Sequence, residues 1–256
     1  MTPEASSPGV RIIGIEGIPE VRPGDDLAAL ILGAAERQGL ALEDGDVLVV
    51  TQKIVSKAEG RIVDLATVEP GPFARQIAQQ WEKDPRVVEV VLRETARIVR
   101  MDRGVMICET KHGFICANAG VDSSNVERLG TVSLLPEDPD RSADWLRGRI
   151  EEGLGVSVAV IITDTFGRPW REGHVNFAIG VAGMLPLLDY AGQNDPAGYE
   201  LRVTQMAVAD ELAAAAELAQ GKLDRLPAAL VRGYAYPKGC GSARDLLRDP
   251  ERDLFR

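Results

Sequence analysis

Two acids carry the chemistry most readily read from this chain. An apolar run ending in Phe114-Ile115-Cys116-Ala117 gives way, through Asn118-Ala119-Gly120-Val121, to Asp122-Ser123-Ser124-Asn125. Small residues there let the backbone approach a ligand, and the acid, hydroxyls and amide that follow suit a hard cation or a phosphate. A second segment repeats the logic: Val156 to Ile162 is expected as a buried strand, capped by Thr163-Asp164-Thr165. For either acid alone, an Asx hydrogen bond closing a turn is the simpler account. Both together, at the ends of two apolar strands and flanked by oxygen donors, point to a divalent ion of the Mg²⁺ or Mn²⁺ type that leaves room for substrate phosphates.

Other polar groups are less specific. Lys53, Lys57 and Arg61 recur at spacing four after a buried strand, so on a helical turn they share a face and could hold phosphate oxygens. A solvated basic face explains the spacing more simply and is the preferred account. Neither G-x-x-x-x-G-K-[ST] nor a post-strand G-x-G-x-x-G occurs, so a bound nucleotide needs a less common architecture. Phe166-Gly167-Arg168-Pro169-Trp170-Arg171 suits anion capture with ring stacking, or a surface loop stapled by Trp170. Gln205 sits where strand passes into helix and is placed to reach a ligand, whereas Asp210 and Glu211 suit the dipole of that helix without any function. His112, alone at a turn, is expected to be structural. Cys108, Cys116 and Cys240 have no metal-type spacing and no nearby base; Cys108 and Cys116 are candidates for adjacent strands and read best as small buried residues.

These groups need elements to place them. Val10–Ile15 is expected as a first strand, and Leu27, Leu30, Ile31 and Ala34 as the apolar face of a helix opened by Pro23 to Asp26. A strand over 47–50 ends in Thr51-Gln52-Lys53. A charged helix is expected over about 72–93, followed by short strands at 98–99, 105–108 and 114–117. Asp138-Pro139-Asp140 opens a helix ended by Gly153 to Gly155. The stretch from Phe166 to Tyr199, rich in Gly, Pro and Asn, is expected to be active-site loop without regular structure. Alanine-rich 206–218 is a helix, 227–231 a late strand, and Ser242 to Asp245 the start of a short final helix. Residues 1–9 look like a flexible leader to one domain over 1–256. The class is α+β, with mixed sheets and helices.

Composition narrows the function. A net charge of −10 argues against non-specific nucleic-acid binding, and makes any anionic ligand depend on bound cations or local basic groups. The N-terminus lacks the basic start and apolar core of a signal peptide. No apolar run approaches the ~20 residues of a membrane span, so no membrane partner and a cytoplasmic location are expected.

Four segments in order resemble one family. Gly120-Val121-Asp122-Ser123-Ser124-Asn125, Ile162-Thr163-Asp164-Thr165-Phe166-Gly167-Arg168, Thr51-Gln52-Lys53-Ile54-Val55-Ser56-Lys57-Ala58-Glu59-Gly60-Arg61 and Val208-Ala209-Asp210-Glu211 are similar to the coenzyme F420-0:L-glutamate ligase family, from about residue 11 to the C-terminus. The resemblance implies a γ-glutamyl-ligase-type fold and an intertwined homodimer. It also implies a GTP-dependent ligase adding L-glutamate to the deazaflavin precursor F420-0 through an acyl phosphate, often followed by further γ-linked glutamates. Carried over by motif, Asp122, Asp164, Thr165 and Gln205 are metal ligands for two Mg²⁺ or Mn²⁺ ions. Nucleotide contacts fall on Ile18, Pro19, Glu20, Val21, Gln52, Lys57, Asn125 and the run Val203, Thr204, Gln205, Met206, Ala207, Val208, Ala209, Asp210. Two positions depart: Gln205 stands where relatives can carry Glu, which weakens the second metal site, and Gln52 where a relative has Ser. The resemblance also allows K⁺ as an assisting ion and assigns no residue as the base for the glutamate amine.

In some relatives the ligase is fused to a nitroreductase-like flavin domain, and the chain stops at Asp253-Leu254-Phe255-Arg256, about where that junction would fall. A stand-alone ligase and an N-terminal part of a larger protein are both compatible with this. Two rivals remain: a GTP- or F420-binding module that has lost catalysis, with Gln205 the suspicious residue, and an amide ligase acting on another acid.

Overall fold

Apolar runs of four residues, Val47–Val50, Ala159–Ile162 and Ala228–Val231, are wholly buried. Strands buried on both faces lie in the middle of a sheet covered on both sides. The computed structural model, which describes residues 9–123 and 130–253, shows that arrangement. In chain order the elements are β1 (Arg11–Gly14), α1 (Leu27–Arg37), β2 (Val47–Thr51), α2 (Gln52–Ala58), β3 (Ile62–Asp64), α3 (Pro72–Trp81), α4 (Pro85–Glu94), β4 (Thr95–Asp102), β5 (Val105–Thr110) and β6 (Ile115–Ala117). They continue with β7 (Thr131–Ser133), α5 (Pro139–Leu154), β8 (Ala159–Arg168), β9 (Arg171–Ala182), β10 (Leu188–Asp189), β11 (Gln205–Met206), α6 (Val208–Gln220) and β12 (Ala228–Arg232).

The central sheet has the order β1-β12-β2-β8-β9, with β2 and β8 parallel and the other pairs antiparallel. Its core joins α1, α5 and α6 to the sheet through Ile31, Leu146, Ile150, Leu212 and Ala216. A second core packs α3 and α4 on the antiparallel sheet β4-β5-β6, through Ile77, Val88, Val91, Met106 and Cys108. β3 pairs with β7, and β10 with β11. The protein is therefore mixed α and β with several sheets, as the alternation of patterns predicts.

Caps fix the helix starts. The carboxylates of Asp26, Asp84 and Asp138 accept the N–H groups of Ala29, Arg86 and Arg141, and Pro85 and Pro139 fill the first helical positions. Asp84-Pro85 also explains why the expected helix over 72–93 is in fact two. Glu82 turns left-handed at φ 51°, and proline disfavours helical backbone in the residue before it, so α4 must start afresh.

The largest departure concerns 166–199. In place of an irregular loop, β8 continues to Arg168 and turns at Pro169-Trp170 into the 12-residue strand β9. Asp164 thus does not cap its strand but lies within it, opposite Phe177. Glycine and asparagine masked the period of β9, yet Phe166 and Phe177 stack across the hairpin with ring centroids 5.8 Å apart. Irregular backbone is confined mainly to 183–204. Except for residue 9, the leader lies outside the described residues, as do Ser124 and Asn125. Among the described residues no helix is long and apolar enough to cross a membrane.

Candidate functional site

Parallel strands β2 and β8 run in register from Val47↔Ala159 to Thr51↔Thr163, so both chains leave the sheet core at one level. The next residues are Gln52 and Lys53 on the first turn of α2, and Asp164 on β8. Ligand sites in α/β proteins recur at the carboxyl ends of parallel strands because polar groups first escape the apolar layer there. Asp122 arrives from the second sheet. After β6 a tight turn over Asn118–Gly120 leads to Asp122, whose backbone exchanges hydrogen bonds of 3.1 and 2.8 Å with Ser133.

The acids meet around a cation. Lys53 Nζ lies 2.7 Å from Asp122 Oδ2; the lysine side chain is mostly covered at 19% exposure, while that of Asp122 stays open to solvent at 39%. Asp164 is more enclosed, and burial pushes its carboxyl up to about 6. The Thr165 N–H opposes this, repulsion from Asp122 reinforces it, and attraction to Lys53 and hydrogen bonding from Gln52 oppose it further. The Gln52 side chain is buried, with its Oε1 accepting from Ser56 Oγ at 2.8 Å and no full hydrogen bond at Nε2. Its amide therefore faces the acid site with donor capacity in hand.

Two carboxylates, one held by an ammonium, offer oxygen ligands that fit a Mg²⁺-type ion completing its shell with water and substrate oxygens, whereas the Gln52 Nε2 group can only donate to an acid or substrate oxygen. Among the described residues no cluster of three or more His, Cys, Asp or Glu side chains occurs.

Several expected residues take other positions. Lys57 pairs with Glu20, which joins two expected nucleotide contacts and ties the 18–21 loop to α2. Arg61 does not continue the lysine row: it lies beyond the end of α2, donating to Leu135 O and to Glu94 at 3.0 Å each. Neither lysine is part of a solvated basic face, since each side chain is largely covered and ion-paired. The Thr165 hydroxyl donates to Asn176 Oδ1 at 2.8 Å and lies 3.4 Å from Lys222 Nζ. Successive strand residues point to opposite faces, which is why its neighbours differ from those of Asp164. Gln205 donates to Asp189 Oδ2, its cross-strand neighbour, at 2.9 Å. Asp210 accepts from the Ala178 N–H at 2.9 Å, and burial pushes its carboxyl up; it ties α6 to β9.

His112 Nε2 bonds Pro136 O at 2.9 Å, which ties its turn to the segment before α5. Cys108 and Cys116 face each other across β5 and β6 as buried free thiols. Burial raises both, Cys116 to about 12, so neither is a ready nucleophile. Trp170 is exposed and does not fold down to staple its loop. Sequence reasoning missed Lys222 at Thr165 and Asp189 at Gln205. Each meets its partner only through the fold, and nothing in local spacing marks them.

Comparison with known proteins places these features in context. A family profile described as F420-0:Gamma-glutamyl ligase matches residues 15–233. A protein of Methanopyrus kandleri named Coenzyme F420:L-glutamate ligase is 50% identical over 256 residues, covering 97% of this chain and 99% of its own length. The similarly named protein of Methanothermobacter thermautotrophicus is 47% identical with the same coverage. That of Methanocaldococcus jannaschii is 42% identical, covering 96% of this chain and 97% of its own.

Proposed function

From the premise that this chain belongs to the F420-0:gamma-glutamyl ligase family, we propose that it joins L-glutamate to a coenzyme F420 precursor at the carboxyl ends of β2 and β8, driven by GTP and a divalent metal. The single observation that supports the site most directly is the convergence of Asp122 and Asp164 around Lys53. In this reading the terminal carboxylate of F420-0 attacks the γ-phosphorus of GTP and GDP leaves. The glutamate amine then attacks the acyl carbon and phosphate departs, forming one amide bond.

Bound Mg²⁺ or Mn²⁺ supplies Lewis-acid neutralisation of the transferred phosphoryl group. Asp122 and Asp164 would hold it; Thr165 and Gln205, expected for a second ion, are engaged instead with Asn176 and Lys222 and with Asp189. The enclosed Asp164 concentrates negative charge in a poorly solvated place, which favours a small, highly charged ion there. Lys57, Glu20 and Gln52 sit on one helix and the loop it anchors, a rigid platform for the nucleotide. The reading extends to a homodimer and to further γ-linked additions, for which the large apolar side chains left exposed on the hairpin and on α6 and the family resemblance are the respective supports.

The test is GDP release by purified protein given GTP, Mn²⁺, L-glutamate and F420-0, with each omitted in turn. Release that needs all four, with a product heavier by one glutamyl unit, is expected. GTP binding without release under any combination would instead favour a module that has lost catalysis. Release with a different acid acceptor would favour another amide ligase.

A further inference from the structure

Lys53 belongs to none of the residue sets carried over from the family pattern, yet it occupies the centre of the acid site. Its placement is rigid: α2 buries Ile54 and Val55 in the main core, and Gln52 and Ser56 are hydrogen-bonded across one turn. The Lys53 side chain is mostly buried and its ammonium lies 2.7 Å from Asp122, unlike the mobile surface lysines whose ion pairs contribute little. It also attracts Asp164, which Asp122 repels. One side chain therefore offsets the mutual repulsion of two acids that come from different sheets.

The ammonium places a positive charge 2.7 Å from Asp122 Oδ2, so a divalent ion brought to the same carboxylate is repelled by it and must share the charge of the acid with it. We propose that Lys53 is an internal counter-ion that competes with a divalent cation for Asp122 and thereby sets the affinity of the acid pair for that cation. The inference rests on the metal-dependent reading above. Lys53 acts through the acids, as a positioning residue: it keeps them together when no metal is bound and yields Asp122 when one is. Lys57 does not share this role, because Glu20 holds it.

The experiment is a Mn²⁺ titration of the metal-stripped, nucleotide-free full chain, with free Mn²⁺ read by electron paramagnetic resonance. Lys53→Met is expected to bind Mn²⁺ about tenfold more tightly than wild type, the scale of removing one nearby unit charge from a partly solvated site. Lys53→Arg, which keeps the charge, is expected to show no such gain. A purely structural lysine would give the opposite sign, since a disordered acid pair binds metal more weakly. A Lys53→Met dissociation constant equal to or above that of wild type overturns the proposal. If that variant does not fold, Lys53→Gln is judged by the same criterion. The underlying reading fails separately: wild type that binds no more Mn²⁺ than Asp164→Asn removes the metal site itself, and Lys53 has nothing to compete with.

Discussion

Asp164 shows how one side chain links position to chemistry. Because burial raises its folded-state value from 3.8 to about 6, the folded protein holds this proton more tightly than the unfolded chain. Stability contributed by the protonated form is therefore lost as pH rises between those values, and is level above them. Above about pH 6 the metal-free protein carries a buried charge at a cost, and Asn at the same place carries none. Asp164→Asn is expected to abolish turnover while the metal-free protein melts at the same or a higher temperature at pH 7.5. A variant that keeps near wild-type turnover would remove the two-acid site, and one that melts lower would show that the ionised carboxylate is net stabilising. Metal binding requires the deprotonated acid. Mn²⁺ affinity of wild type, followed by calorimetry, should accordingly rise with pH up to about 6 and then flatten; a flat profile from pH 5 to 7 would contradict the raised value of Asp164.

At the scale of elements, the site depends on two junctions that hold the sheet in place. Asp46, buried at the start of β2, accepts from Arg232 Nε and Nη2 of β12 at 2.8 and 2.7 Å and from the Glu43 N–H at 2.8 Å. Asp46→Ala strands the guanidinium, so a loss of about 3–5 kcal/mol is expected, measured by urea unfolding; a loss below about 1 kcal/mol would mean that Arg232 finds water or Glu43 sufficient. Gly180 of β9 faces the start of α5 so closely that an added Cβ would come within 2.3 Å of Pro139 O. Gly180→Ala should therefore cost about 1–3 kcal/mol and, because an irregularity beside it in the β8–β9 register immediately precedes Asp164, should lower turnover as well. Unchanged unfolding would show that α5 can shift freely.

These junctions also show what sequence reading can reach. Apolar runs such as 47–50 and capped starts such as Asp138-Pro139 announce themselves locally, and both acids of the site were legible because each follows such a run. The hairpin arm was not, since Gly173, Asn176 and Gly180 interrupt the alternation that marks a strand. Arg61 was misplaced because spacing of four implies a shared face only while the helix lasts, and α2 ends at Ala58. Lys222 and Asp189 were invisible, because tertiary contacts over 57 and 16 residues leave no periodic trace.

For the molecule as a whole, a net charge of −10 must be reconciled with the three anionic substrates proposed. Long-range steering is unfavourable, so local cations must do the recruiting, and added salt should weaken nucleotide binding less than it would for a basic protein. Surface apolarity raises a second question. Single exposed apolar residues are ordinary, but larger patches mark contacts with a partner. Trp170 at the hairpin turn is 80% exposed, Leu218 on α6 83% and Leu223 just beyond it 90%. The approach of Lys222 to Thr165 brings the loop after α6 alongside β8, while Trp170 stands at the far turn of the same hairpin. A second copy of the chain that covers them would bury large side chains at little entropic cost, since the arm and helix are already ordered. Light scattering at micromolar concentration should give twice the chain mass of 27.6 kDa, and Trp170→Asp combined with Leu223→Asp should return the monomer mass with α-helical and strand signals preserved. A wild-type monomer would remove the dimer from the proposed function. A double variant that stays dimeric would move the interface to another face while leaving the acid site at β2 and β8 untouched.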